Sequence, residues 1–364
     1  MYKRAISLLC ILLAAVMAMT ACSAAPAASS SEAAVSVFAP ADTSVSQPDP
    51  EPEFPYTNPL TGLGTYTDLS ANRPIAIMIN NLKKALPQLG VSQADIIYEA
   101  PAEGGITRMM AVFQTLDQVG DLGSVRSARP YYVELAAGLD ASFIHAGGSD
   151  DAYSAIKNYG VFNIDGVNGP YGGTMFWRDA ARKKNTGFEH SLLTSPERIT
   201  KLLAGSLAKS RQTHKEGYTL PLYFTEDGTP VNGSPANTVS VRYSNYKTGL
   251  FRYDEQTGTY LAEQYGAPYV DGNNDQQIAV TNVLILATSV RNIPGDTAGR
   301  KSIKLTGTGD GWFACGGKYI PITWAKDSAN APFRYYTADG QDLMLGAGKT
   351  YVNIVGTDYP VTFE

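Results

Sequence analysis

Arg73-Pro74-Ile75-Ala76-Ile77-Met78-Ile79-Asn80-Asn81 is the stretch on which the fold turns. Five apolar residues stand in a row, opened by a proline and closed by two asparagines. A strand with one wet face alternates apolar and polar side chains, whereas a short unbroken run fits a strand covered on both faces. Two similar runs follow, Ile96-Ile97-Tyr98 ending at Glu99 and Met109-Met110-Ala111-Val112-Phe113. Helical signals lie between and after them. Pro130 to Leu139 opens on proline and sets Val133, Ala136 and Ala137 at helical spacing. Ala141 to Ile144 reads as another strand. Gly147-Gly148-Ser149 then turns into a helix over Asp150 to Asn158, with Ser149 as its cap and Asp150-Asp151 at its positive end. Thr194-Ser195-Pro196-Glu197 predicts one more helix, to about Leu207, with a capping box between Thr194 and Glu197. Strands interleaved with helices predict an α/β domain over residues 56–215.

Beyond Gly217 the pattern changes. Val239 to Tyr243 alternates, and Leu250 to Tyr253 and Thr259 to Ala262 flank Asp254-Glu-Gln-Thr-Gly258, a hairpin signal. Thr281 to Thr288 is a long apolar strand. Gly316-Gly317 separates Trp312 to Cys315 from Tyr319 to Trp324, and Phe333 to Tyr336 is expected to meet Leu343 to Leu345 across Asp339-Gly340. Residues 216–364 therefore predict a β-rich domain, a meander or a small barrel.

The first residues read as an address. Lys3 and Arg4 are followed by an apolar run from Ile6 to Met19, then by Thr20-Ala21 and Cys22. A charged start, a hydrophobic segment too short to be a spanning helix, and a small-residue cleavage site make a secretory signal. The cysteine directly after the cut resembles that of a bacterial lipoprotein signal. That resemblance implies removal of residues 1–21 and lipidation of Cys22, which places the protein on the membrane at its extracytoplasmic face. A double acyl chain holds a protein there without spanning. Residues 22–55 are built from Ala, Ser, Pro, Val and acids, and read as a disordered tether.

Composition narrows the partners. The formal net charge is −5, so bulk electrostatics draw nothing toward nucleic acid. Of three cysteines, one leaves with the signal and one takes the lipid. Cys315 alone remains, which excludes an intramolecular disulfide and reads as a buried, inert thiol. The chain has three histidines and no paired-histidine helix face, so neither a metal nor another cofactor is expected.

Several strings converge on one family. Asn58-Pro-Leu-Thr-Gly62 precedes the Arg73–Asn81 stretch; Ser92-Gln-Ala-Asp-Ile-Ile-Tyr-Glu99, Glu103-Gly-Gly-Ile-Thr-Arg108 and Gly123-Ser-Val-Arg-Ser-Ala-Arg129 follow. His145-Ala-Gly-Gly-Ser149 and Phe176-Trp-Arg-Asp179 complete the set. Together, from about Pro59 to Val355, they resemble the YerB-like bacterial lipoproteins, a family of two adjoining domains of unknown function. The resemblance implies a lipid-anchored envelope protein of two parts and brings no activity with it. Glu189 stands where the family pattern has proline, while His190 matches.

Chemistry-bearing residues crowd the first half. Arg108, Arg126, Arg129 and Arg178 lie near carboxylates on predicted loops. Arg126 and Arg129 directly precede a helix start, where backbone N–H groups favour an anion and two planar forks could grip a phosphate or carboxylate. The opposing reading is that these arginines satisfy Glu99 and Glu103 inside the fold. Trp177, after the glycine-rich Asn168 to Gly173, suits either stacking on a sugar or partner, or pinning of its loop. An anionic or saccharide envelope component, or a protein partner, is the ligand class expected. The alternative is a wall-active hydrolase with Glu99, Glu103 and His145 as acid/base groups and His190 nearby. A third reading makes the β-rich half a docking module of a membrane complex.

Overall fold

The computed structural model describes residues 54–205 and 211–364. Residues 1–21, Cys22 and most of the 22–55 tether lie outside the described residues. The three apolar runs form strands Ile75–Asn80 (β1), Ile96–Pro101 (β2) and Thr107–Phe113 (β3). Helix Pro130–Gly138 (α1), strand Ser142–His145 (β4), helix Asp150–Tyr159 (α2) and strand Asn163–Asp165 (β5) follow. Three short helices, Gly172–Met175 (α3), Ala180–Asn185 (α4) and Pro196–Ala204 (α5), complete the first half. The second half contributes Thr238–Arg242 (β6), Thr248–Asp254 (β7), Thr259–Gln264 (β8), Asn282–Thr288 (β9) and Gly307–Cys315 (β10). Lys318–Lys326 (β11), Arg334–Thr337 (β12), Thr350–Gly356 (β13) and Val361–Phe363 (β14) end the chain.

One sheet of eleven strands runs through both halves, in the order Ser234–Pro235, β11, β10, β9, β13, β2, β3, β1, β4, β5, with β12 also against β11. The join is β13, parallel to β9 on one side and to β2 on the other, so that Thr350 faces both Asn282 and Ile96. A second sheet, of six strands, is built around β6, β7, β8 and β14. The first half is α/β and the second β-rich, as expected, and the second half forms open meandering sheets without closing into a barrel.

Alternation explains the unbroken run in β1. Ala76 and Met78 point into a core shared with Tyr131 and Val133 of α1 and Ile156 of α2. Ile75, Ile77 and Ile79 point into another, shared with Val239 and Val241 of β6 and Phe251 of β7. Helices α1 and α2 cover one face, and the core on the other is closed by the six-stranded sheet together with Met175 of α3 and Ile199 of α5, so a polar residue on either face would lose ~2 kcal/mol or more of burial.

Two local expectations are corrected. Ser195, not Thr194, caps α5, its hydroxyl accepting from Arg198 N at 3.4 Å. Thr194 ends a short strand, Leu192–Thr194, and donates its hydroxyl to the Met175 carbonyl at 2.8 Å. Pro196 sets the first helical position, which leaves Thr194 one residue too early. The strand Met344–Gly346 pairs in parallel with Tyr223–Thr225 rather than as a hairpin with β12. The turn at Asp339-Gly340 does bring Leu343 back to β12: Leu343 N donates to Tyr335 O, Thr337 N to Gln341 O and Gly340 N to Thr337 O, each at 2.9 Å, with Tyr336 and Asp342 forming an isolated antiparallel bridge.

Candidate anion-binding site

Strands β1, β2, β4 and β5 run in the same direction, with β3 antiparallel between β1 and β2. Their carboxyl ends and the amino end of β3 share one edge of the sheet, the place where ligands gather in open α/β sheets. The segment Val125 to Ala128 crosses these ends. Arg126 N donates to Met78 O at 3.0 Å, Ala146 N donates to Arg126 O at 2.9 Å, and Ala128 N donates to Gly147 O at 2.9 Å.

Strand alternation then sorts the charges. Arg108 follows Met110 and Val112 to the α1 face and is 2% exposed. Its Nη1 donates to Ser127 O at 2.8 Å and its Nη2 to Glu103 Oε1 at 2.6 Å. Arg129, the residue before α1, reaches the same carboxylate, with Nη2 2.7 Å from Oε1 and Nε 3.3 Å from Oε2. Burial opposes the charged form of Glu103, but Arg108 and Arg129 together overcome it and hold the carboxyl down at about 2. One carboxylate therefore carries two guanidinium groups.

Arg126 has no such partner. Its Nη2 lies 3.3 Å from Oε2 of Glu189, a side chain 70% exposed, and its Nη1 lies 3.4 Å from the Glu189 carbonyl. Its Nε is buried and donates to nothing. Burial, then repulsion from Arg108, push the Arg126 guanidinium below its ordinary value, against the pull of Glu189 and Glu103. His190 sits beside it, its Nδ1 accepting from Asn80 Nδ2 at 2.8 Å. Burial first, then Arg126, and further Lys84 and Arg182, lower the His190 pKa, while Glu189 alone opposes them. Arg182 clamps this corner by donating to the Ala85 carbonyl at 2.6 Å and the Pro87 carbonyl at 2.8 Å, which brings Lys84 close. Sequence reasoning missed Lys84 as a neighbour. Nothing local marks it, because the contact depends on that clamp.

The remaining candidates lie elsewhere. Arg178 stacks on Phe188, 3.8 Å from the ring centroid, and donates to its carbonyl at 2.6 Å. Trp177 is half-buried under the Arg198 guanidinium, 4.8 Å away, so its loop is pinned. Glu99 is 1% exposed and points, with Ile97, to the face under the six-stranded sheet. There it accepts from Asn81 Nδ2 at 2.9 Å and pairs with Lys247 Nζ at 3.1 Å; Tyr351 and Thr107 also donate to it. Lys247, which the sequence reading did not single out, donates onward to Gln264 at 2.6 Å. His145 is fully buried, stacked on Phe143, with Nδ1 2.9 Å from the Gly147 carbonyl and Nε2 3.1 Å from Asn163 Oδ1. Glu99, His145 and Glu103 thus share no open space in which to act on a substrate. His214 is half-buried and lies 3.2 Å from Asp140. Cys315 is buried, and burial pushes its thiol up to about 11.

Among the described residues no group of three or more His, Cys, Asp or Glu side chains is placed to hold a metal, and no helix is long and apolar enough to cross a membrane. What the edge offers is a basic basin: Arg126 and His190 beside the Arg108–Glu103–Arg129 triad, with Lys84 at its rim.

An α/β half joined through one sheet to a β-rich half is the architecture of a family whose function is not established. Residues 60–210 match the model described as "Protein of unknown function (DUF3048) N-terminal domain", and residues 239–352 match its C-terminal counterpart. The chain belongs to this family. A Bacillus subtilis (strain 168) protein described as "Putative lipoprotein YerB" is 35% identical over 302 residues, covering 82% of this chain and 85% of the relative. The crystal structure of the Bacillus subtilis YerB protein superposes with a TM-score of 0.71 at 31% identity, over 84% of this chain and 99% of that one. The YerB-like resemblance read from the sequence strings therefore holds.

Proposed function

We propose that this chain is a lipid-anchored protein of the extracytoplasmic membrane face that binds an anionic component of the cell envelope at Arg126. The anchor rests on the Lys3 to Cys22 pattern and on kinship with a protein described as a putative lipoprotein. The binding reading rests on one observation: Arg126 keeps a buried Nε with no acceptor, while Arg108 and Arg129 spend their forks on Glu103. The Arg126 side chain is 18% exposed and paired only with an exposed carboxylate at 3.3 Å, a weak contact that a phosphate or carboxylate oxygen can replace at its outer nitrogens. Asn80, His190 and Lys84 supply further polar contact around it. The hydrolase reading finds less support, since Glu99 and His145 are closed to solvent.

The test is retention of the full chain on purified envelope polymer, with wild type, Arg126→Ala and Arg126→Lys compared. Circular dichroism and melting temperature report the fold. Arg126→Ala is expected to lose at least tenfold in affinity with its fold intact, and Arg126→Lys to recover part of it. Undiminished binding by a folded Arg126→Ala would sink the proposal.

A further inference from the structure

A cavity of about 680 Å³ opens on the β-rich half, and no residue of the arginine basin lines it. Its cause lies in one strand. Along its outer edge β11 pairs with Ser234–Pro235 through Lys318 and Tyr319, and with β12 through Ile322 to Ala325. Ile320 and Pro321, between these stretches, have no strand partner on that edge. Proline has no N–H to give a ladder, so neither flanking strand continues past it. Both residues line the cavity, with the Asp227–Asn232 turn and the 337–344 loop forming its walls.

The lining has two characters. Phe313, Ile320, Pro321, Leu343 and Met344 make an apolar interior, and Val231 on the wall is 89% exposed. Asp227, Asp339 and Asp342 supply three carboxylates, while no Lys, Arg or His lines the space. Asp227 Oδ1 accepts from Thr229 N at 2.9 Å and Asp339 Oδ1 accepts from the Thr337 hydroxyl at 2.5 Å, and both side chains, like that of Asp342, remain exposed. The volume falls in the range of small-molecule sites, roughly 300–1,000 Å³. A peptide adding as a strand does not fit, because the gap is two residues long and one of them cannot donate.

We propose that this cavity binds a small organic cation, a primary amine carried on an apolar body. The body covers Phe313, Ile320 and Met344, and the ammonium is held by Asp227 and Asp342. Charge selects the ligand: an anion of the same shape meets three carboxylates, with Lys318 beside Asp227 as the nearby cation. This site and the anion site at Arg126 are independent, and either can exist without the other.

The probes are tryptamine and indole-3-propionate, which share an aromatic body and differ in the sign of their charge. Binding to the full chain is measured by calorimetry at low and high salt. Tryptamine is expected to bind at least tenfold more tightly than indole-3-propionate, with the preference shrinking at high salt. Asp227→Asn/Asp342→Asn is expected to abolish the preference; asparagine retains the oxygen that accepts from Thr229, so the turn is kept. Arg126→Ala is expected to leave tryptamine binding unchanged. Equal affinity for the two probes, no tryptamine binding at millimolar concentration, or a preference that survives both substitutions would each overturn the assignment.

Discussion

Glu103 is the one carboxylate shared by Arg108 and Arg129, so Glu103→Gln asks directly whether those two arginines serve the fold. Its carboxyl is held at about 2 against an ordinary 4.5. At ~1.4 kcal/mol per unit that depression corresponds to ~3 kcal/mol of stability. Solvent reaches 22% of the side chain, which lowers the figure to ~2 kcal/mol. A second route agrees. Removing one partner of a buried ion pair costs ~3–5 kcal/mol, less here because glutamine still offers one oxygen to a guanidinium. With ~2 cal/mol/K of unfolding entropy per residue over roughly 300 folded residues, ~2 kcal/mol lowers the melting temperature by ~3 °C. The pH dependence has a definite sign. Because the folded-state value lies below the unfolded one, the stabilisation is complete above pH 4.5 and is lost as pH falls toward 2. The gap between wild type and variant in urea unfolding, followed by fluorescence of the full chain, is therefore full at pH 7 and about halved at pH 3. Equal stability at pH 7, or a gap that does not narrow on acidification, would refute the assignment of these arginines to the fold.

Two further outcomes can be checked with the same unfolding measurements. Lys247→Met leaves Glu99 buried without its cation and is expected to cost ~3 kcal/mol, most of which Glu99→Gln/Lys247→Met recovers; a double variant no more stable than Lys247→Met alone contradicts the pairing. His190 has its pKa lowered beneath 6.5, so the folded state takes up its proton later than the unfolded one, and wild-type stability declines as pH drops below 6.5. His190→Gln should flatten that decline between pH 7 and pH 5, and an unchanged slope would remove His190 from the basic corner.

Much of the fold was legible because its informative stretches are local. Ile75 to Ile79 announced a strand covered twice, and both covers exist. Ser149 announced the start of α2 and accepts from Ala152 N at 3.3 Å, as a cap should. Pairing over distance was not legible. β13 lies beside β2 although some 250 residues separate them, and parallel partners have no connecting turn to betray them. The same holds for Met344–Gly346 against Tyr223–Thr225. α3 and α4 were missed because four and six residues carry too little periodicity to register.

The site was legible in its residue types and opaque in its pairings. Glu99 and Glu103 are four residues apart, yet Glu99 still belongs to β2 and alternation sends it under the six-stranded sheet. Glu103 has left the strand for a short turn and meets the arginines instead. Thr107 and Arg108 divide in the same way, one joining Glu99 and the other Glu103. Arg126 and Arg129 are three apart, but Arg129 lies at the start of α1, facing Glu103, while Arg126 sits where the chain crosses β1 and β4. No spacing rule predicts which of two such arginines finds the carboxylate. The outcome matters because it separates a satisfied pair from an unsatisfied one. A fold that places two guanidinium groups on one carboxylate could have given Arg126 a buried acceptor as well. It leaves Nε bare beside an exposed Glu189 instead, at a cost to stability that is understandable where a ligand completes the set.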